Sequence, residues 1–435
     1  MIRFVFALIL VVAALPARAG VEIKQVTSPG GITAWLVEDH SIPFTALELR
    51  FRGGAVLDPE GKKGVASLMA ALLEEGAGDM DARGFARAAE GLATSFSYGA
   101  SDDTISVSAR FLSENRDAAV DLLRQSLVQP RFDDDAIERV RAQMLSNLRS
   151  DLKDPRAIAG RAFDARIFAS HPYGQPVDGT VESVAALSRA DLQQAHRNLL
   201  VRNRVFVGAA GDITAEELGL LLDQLLGDLP TGQATLPGPA DLAFDGGVHV
   251  VDFPTPQSVV LFGQPGLGLD DPDFFPAFVL NHILGGGGFE SRLMSEVREK
   301  RGLTYGIYTY LGDKDYADLW QGSVSSANDR VAEAVDVIRQ QWAEAAENGV
   351  SAEELQDAIT YLTGAYPLRF DGNGPIAKII VGMQLQGFDR DYVNTRNARI
   401  EAVTQADVAR VARRLMDPAL LTFVVVGQPQ GLAGN

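Results

Sequence analysis

Ala118-Ala119-Val120-Asp121-Leu122-Leu123-Arg124-Gln125 returns, little changed, as Glu333-Ala334-Val335-Asp336-Val337-Ile338-Arg339-Gln340, 215 positions later. Working outward, Val184-Ala185-Ala186-Leu187-Ser188-Arg189-Ala190-Asp191-Leu192 matches Ile400-Glu401-Ala402-Val403-Thr404-Gln405-Ala406-Asp407-Val408 at an offset of 216. Val205-Phe206-Val207-Gly208 matches Thr422-Phe423-Val424-Val425-Val426-Gly427 at nearly the same spacing, and Asp58-Pro59 and Asp271-Pro272 lie 213 apart. One such pair could be chance. Four in one order are the mark of an internal duplication, and each half has the size of an ordinary domain, about 200 residues.

Within each half, strand and helix patterns mix. Thr45 to Phe51 and Thr104 to Ala109 alternate apolar and polar like half-buried strands, whereas Gly64 to Glu75, Arg116 to Leu127, Asp134 to Leu152 and Arg189 to Leu200 have helical length and period. Asp133 and Ser188 stand where helix N-caps are expected, and the Asp133-Asp134-Asp135 run compensates a helix start. Strands followed by helix pairs predict two homologous α+β domains, each a mixed or antiparallel sheet packed with helices. The boundaries read as a signal peptide at 1–19, a first domain at 20–229, a Pro/Gly-rich linker at 230–246 and a second domain at 247–435. Arg3, the apolar run Phe4 to Leu15 and the small-x-small site Ala17-Arg18-Ala19 carry the signal-peptide reading, since twelve apolar residues before Pro16 are too few to span a bilayer. An exported protein with no stable membrane anchor is expected, its signal being of the bacterial periplasmic type.

The chain has 435 residues, 46% of them hydrophobic, with a formal charge of −18 and no cysteine. That composition excludes wholesale disorder, disulfide frameworks and thiol nucleophiles, and its acidic balance argues against a nucleic-acid binder. There is no phosphate-loop motif and no G-x-S-x-G elbow. The five histidines, His40, His171, His196, His249 and His282, are too far apart in sequence to form a ligand pair on one helix.

One segment stands out: Leu284-Gly285-Gly286-Gly287-Gly288-Phe289-Glu290-Ser291-Arg292-Leu293, followed by Met294 to Gly306. The glycines allow close approach of another chain, Glu290 to Arg301 reads as a charged helix ended by Gly302, and Leu303 to Tyr310 as a strand with Tyr305, Ile307 and Thr309 on one face. Without more information these would be a loop, a solvated helix and a hairpin.

This segment resembles the signature of the pitrilysin, insulin-degrading-enzyme and mitochondrial-processing-peptidase family, the inverzincins. His171-Pro172-Tyr173-Gly174-Gln175-Pro176 with Gly179, and Asn203 to Asp212, agree in order, so that the resemblance spans nearly the whole chain after residue 19. In active members a first-domain helix carries H-x-x-E-H after G-x-A, giving two zinc ligands and the glutamate that activates water. Here Gly64-Val65-Ala66 is followed by Ser67, Ala70 and Ala71 at those three positions, and the third ligand aligns with Asn147. The resemblance therefore implies no metal bound by this chain. What is retained is the family's Arg/Tyr pair, here Arg298 and Tyr305, which completes a site from the domain that lacks zinc. Gly286, Gly287, Gly288, Phe289 and Ser291 are the accompanying candidates for substrate contact.

The resemblance thus implies a zinc-free subunit that lends Arg298 and Tyr305 to a homologous H-x-x-E-H partner, which holds the zinc, for cleavage of peptides or unfolded polypeptides. Two other readings compete. One is an inert structural core subunit, as in respiratory bc1 complexes; the other is a bilobed periplasmic ligand-binding protein, with two halves clasping a ligand. Neither requires the Arg/Tyr segment.

Overall fold

A computed structural model describes residues 21–432; the signal-peptide reading of residues 1–19 lies outside them. The first half forms a six-stranded sheet in the order Lys24–Thr27, Thr33–Glu38, Val205–Gly211, Phe44–Arg52, Thr104–Leu112, Ser95–Ala100. The second forms five strands in the order Val248–Asp252, Thr422–Gly427, Gln257–Pro265, Ala317–Ala327, Thr304–Lys314. Setting aside the extra outer strand Lys24–Thr27, the two orders correspond strand for strand. In each sheet the last strand of the half slips in parallel beside the first of the five, and every other pairing is antiparallel. The duplication read from short matches is a duplication of topology, and the α+β expectation holds.

Helices cover both faces of each sheet, one of them with helices of its own half. Leu47, Leu49, Phe51, Val107 and Phe111 form the first core with Leu68, Leu123, Leu218 and Leu222 from helices. Trp320, Trp342, Phe262 and Phe423 anchor the second. Ser188 and Thr404, equivalent positions in the two halves, both cap helices through a reciprocal bond with the Asp three residues on. Asp133 is the N-cap of Asp134–Asp151 by position, but its carboxylate is taken by Arg131 rather than by the helix amides.

The other face of each sheet is covered from the opposite half. The helix Pro155–Ile167 of the first half lays Phe163 and Ile167 against Leu319 and Val424 of the second sheet. Reciprocally, Asn373–Leu385 of the second half lays Ile376, Ala377, Ile380 and Met383 against Trp35, Ala46 and Ala210 of the first. These helices occupy corresponding places in the two repeats, so the halves exchange equivalent elements. Gly208 makes the close approach possible: a Cβ there would stand 2.5 Å from the Ala377 carbonyl oxygen. Residues 230–246 contain no helix or strand, yet they are tied down, with the Ala240 and Ala243 amides donating to the Tyr316 and Ile167 carbonyls. No helix among the described residues is long and apolar enough to cross a membrane.

Two element readings need correction. The first-half helix expected over Gly64 to Glu75 is α-helical only over Val65–Ala71. Beyond it the Leu72 and Leu73 amides reach carbonyls three residues back, which tightens the chain into a turn. Glu290 to Arg301 is not one regular helix either. A 3₁₀ turn over Gly288–Glu290 gives way to a wide π turn over Met294–Glu299, in which the Lys300 amide reaches back five residues to Ser295. The wider turn keeps Leu293, Met294 and Val297 buried together against the second sheet.

Candidate functional site

Asp58 starts the local order of the first half's short helix. Its Oδ2 accepts from the Gly64 amide at 2.8 Å and its Oδ1 from the Ala66 amide at 3.1 Å, so this carboxylate anchors the helix start. Burial raises its pKa to about 7 despite those donors. Since the acid's pKa is higher folded than unfolded, the folded chain binds the extra proton, and stability should fall as pH rises from about 4 to about 7. Asp164, raised by burial to about 6, contributes in the same sense. Asp58→Asn is expected to flatten the decline of the urea midpoint across that interval; parallel profiles for the variant and the parent chain would refute it.

The three positions of interest follow on this helix. Ser67 is half-buried and donates its hydroxyl to the Val177 carbonyl at 3.2 Å; Ala70 is buried and Ala71 exposed, neither with a ligating atom. Asn147, on Asp134–Asp151, is exposed and its Oδ1 accepts from Gln143 at 3.0 Å. One hydroxyl already engaged, one amide and two methyl groups do not fit a zinc ion. Among the described residues no group of three or more His, Cys, Asp or Glu side chains could hold a metal ion.

The second-half segment has a different character. Tyr305 was expected to share a face with Ile307 and Thr309, and it does not. Thr304 pairs with Ser326 and Ile307 with Val324, so three steps on one strand oppose two on its neighbour. This bulge turns Tyr305 outward to 89% exposure while Ile307 and Thr309 stay buried. Thr304 holds the bulge: its hydroxyl accepts from the Gly306 amide at 3.1 Å and donates to the Ser325 carbonyl at 2.7 Å. Alternation in the sequence carries no sign of the extra residue.

Arg298 projects from the π turn. Its guanidinium lies 4.8 Å from the centroid of the Phe289 ring, itself 67% exposed, and has no carboxylate partner among the described residues. A half-exposed guanidinium stacked on an aromatic ring keeps its N–H edges free for an incoming acceptor. The neighbouring charges are satisfied separately: Glu296 pairs with Lys300 and Arg301, and Arg292 with Glu354. Gly302, at φ +60°, ends the turn, and its amide donates to the Arg298 carbonyl at 2.8 Å, which holds the backbone that carries the side chain.

Of the accompanying candidates, Gly286, Gly288 and Phe289 are exposed and Gly287 is half-exposed. Ser291 is buried, with its hydroxyl donated to the Gly288 carbonyl at 2.9 Å. It shapes the turn under Phe289 and offers nothing to a ligand. The stacking of Phe289 under Arg298 was not legible in the sequence, although both residues were singled out there. The anchoring role of Asp58 was also missed; its place in the Asp-Pro repeat was the only available signal.

The chain as a whole resembles known proteins. The family description "Insulinase (Peptidase family M16)" matches residues 34–181, and "Peptidase M16 inactive domain" matches residues 186–362. The non-peptidase homolog YmxG of Helicobacter pylori is 30% identical over 333 residues, 76% of this chain and 77% of that protein. The mitochondrial-processing peptidase subunit beta of Blastocladiella emersonii is 24% identical over 422 residues, 94% of this chain and 90% of that one. The crystal structure of a peptidase M16 inactive domain from Pseudomonas fluorescens superposes with a TM-score of 0.88 at 27% identity, covering 95% of this chain and 99% of that chain.

Proposed function

This chain belongs to the peptidase M16 (insulinase) family, and from that premise we propose that it is the metal-free subunit of a two-chain peptidase. The observation that carries the reading is a contrast within one molecule. The positions aligned with the three metal ligands carry Ser67, Ala71 and Asn147 and that of the water-activating glutamate carries Ala70, whereas Arg298 is half-exposed and Tyr305 exposed, neither with a hydrogen bond or ion pair from its side chain among the described residues. A chain that had lost every part of a peptide site would have no reason to hold a guanidinium on an aromatic ring and a tyrosine on a bulge.

In this reading a homologous H-x-x-E-H partner supplies zinc and the activated water. The present chain closes the site from the other side. Arg298 donates to substrate carbonyls and holds an extended peptide, with Gly286 to Phe289 alongside. The Tyr305 hydroxyl donates to the scissile carbonyl oxygen as negative charge develops on it. Export to a bacterial periplasm, from the signal at residues 1–19, belongs to the same proposal, and one relative is itself named as a subunit.

The test is peptide hydrolysis and zinc content, measured on this chain alone and mixed with an H-x-x-E-H homologue from the same cells. Zinc-dependent cleavage, abolished by a chelator and present only in the mixture, is expected. Cleavage by this chain alone would overturn the assignment. The name of the Helicobacter pylori relative favours a second reading, an inert structural subunit, and association of the two chains without cleavage in the mixture would select it.

A further inference from the structure

A cavity of about 530 Å³ lies in the second half, beside the helix Asn373–Leu385. Its walls include Phe278, Tyr366, Phe388 and Tyr392. Three cations, Arg369, Lys378 and Arg396, line it as well, and among the described residues no Asp or Glu does. In a chain of net charge −18 this convergence runs against the composition.

Arg396 is the telling member. It is only 7% exposed, and its guanidinium lies 4.2 Å from the Tyr366 ring centroid and 5.5 Å from that of Phe278. Nη1 donates to the Leu362 carbonyl at 3.2 Å and to the Asn397 Oδ1 at 3.1 Å, and no carboxylate pairs with it among the described residues. A buried guanidinium balanced only by neutral oxygens and ring faces is incompletely compensated. Arg369 and Lys378 are exposed and likewise unpaired among the described residues. Aromatic walls with a few convergent charges of one sign make a ligand site for a molecule that is apolar in body and anionic at one end.

We propose that this cavity binds an apolar or aromatic group bearing a carboxylate. The favoured source is the C-terminal residue of a peptide, an assignment that rests on the peptide-handling function proposed above; a free carboxylic acid has the same chemistry. Tyr310 lines the cavity and lies on the same edge strand as Tyr305, five residues further on. That separation, roughly 16 Å at ~3.3 Å per residue, is within reach of one short extended peptide.

The test uses the full chain alone and calorimetry. The ligands are acetyl-Ala-Ala-Ala-Phe with a free carboxylate, the same peptide amidated, and phenylbutyrate. The acid peptide is expected to bind at least about tenfold more tightly than the amide. Because Arg396 is buried and its replacement can unfold the chain, the variant is the exposed pair Arg369→Ala with Lys378→Ala, which should weaken the acid about tenfold and leave the amide unchanged. Equal affinity for acid and amide, or no binding at millimolar peptide, would overturn the site. Phenylbutyrate binding more tightly than the peptide would overturn the peptide source. None of these readings involves hydrolysis, so loss of this site leaves the Tyr305 assignment standing, and failure of the mixing experiment leaves the binding result intact.

Discussion

Tyr305→Phe in the two-chain assembly is expected to lower kcat by about 10²–10³, with KM nearly unchanged. The substitution removes one oxygen and keeps the ring. Because Tyr305 is 89% exposed and packs little, the folded state should lose no more than ~0.5 kcal/mol, and a lost rate would not be lost folding. In the proposed role the effect falls on kcat, because a hydroxyl bonded to the scissile oxygen would gain strength only as charge develops there, and ground-state binding would not report it. Arg298 should behave differently, since an interaction made with substrate carbonyls before reaction appears largely in KM. Steady-state kinetics on the reconstituted pair, with each variant's association checked by size exclusion, separates the two roles. An unchanged kcat for Tyr305→Phe would remove the tyrosine from the reaction, and an unchanged KM for an Arg298 variant as well would leave the chain a scaffold.

What could be read in advance follows from which interactions are local. The duplication was legible because corresponding helices kept similar apolar residues, and the cap positions Ser188 and Thr404 announced themselves through an Asp three residues later. Arg298 and Tyr305 were legible only through the resemblance of their segment to the inverzincin signature, whose Arg and Tyr they match. The direction of Tyr305 was not, because a bulge is one extra residue measured against a neighbouring strand and Ala317–Ala327 is distant in sequence. Nor could the periodicity of Pro155–Ile167 tell which sheet its apolar face would cover. A helical stripe states that a face is buried and is silent on its partner. The convergence of Arg369, Lys378 and Arg396 is of the same kind: three cations from separate stretches of chain meet only through tertiary packing.

The exchange of helices makes the strongest claim about stability. Phe163→Ala is expected to destabilise the chain by about 3–5 kcal/mol, the usual range for deleting a buried phenylalanine. The ring is 1% exposed, lies edge-on to Phe244 at 6.3 Å, and reaches within 3.1 Å of the place a Cβ would take on Gly263. It thus packs the first half's helix, the connecting segment and the second sheet together. If the halves were independent, the damage would stay with the second sheet and the segment lying on it. Because Asn373–Leu385 reciprocally covers the first sheet, loss of either helix contact should loosen both. Native-state hydrogen exchange on the central strands Val205–Gly211 and Thr422–Gly427 distinguishes the cases. Both strands should lose protection by the same factor, at least ~10² at a tenfold change per 1.4 kcal/mol. Loss confined to Thr422–Gly427 would show that the halves fold separately and that the exchanged helices are only surface dressing. Joint loss would mean that Arg298 and Tyr305 are held in place by the first half as well as by their own.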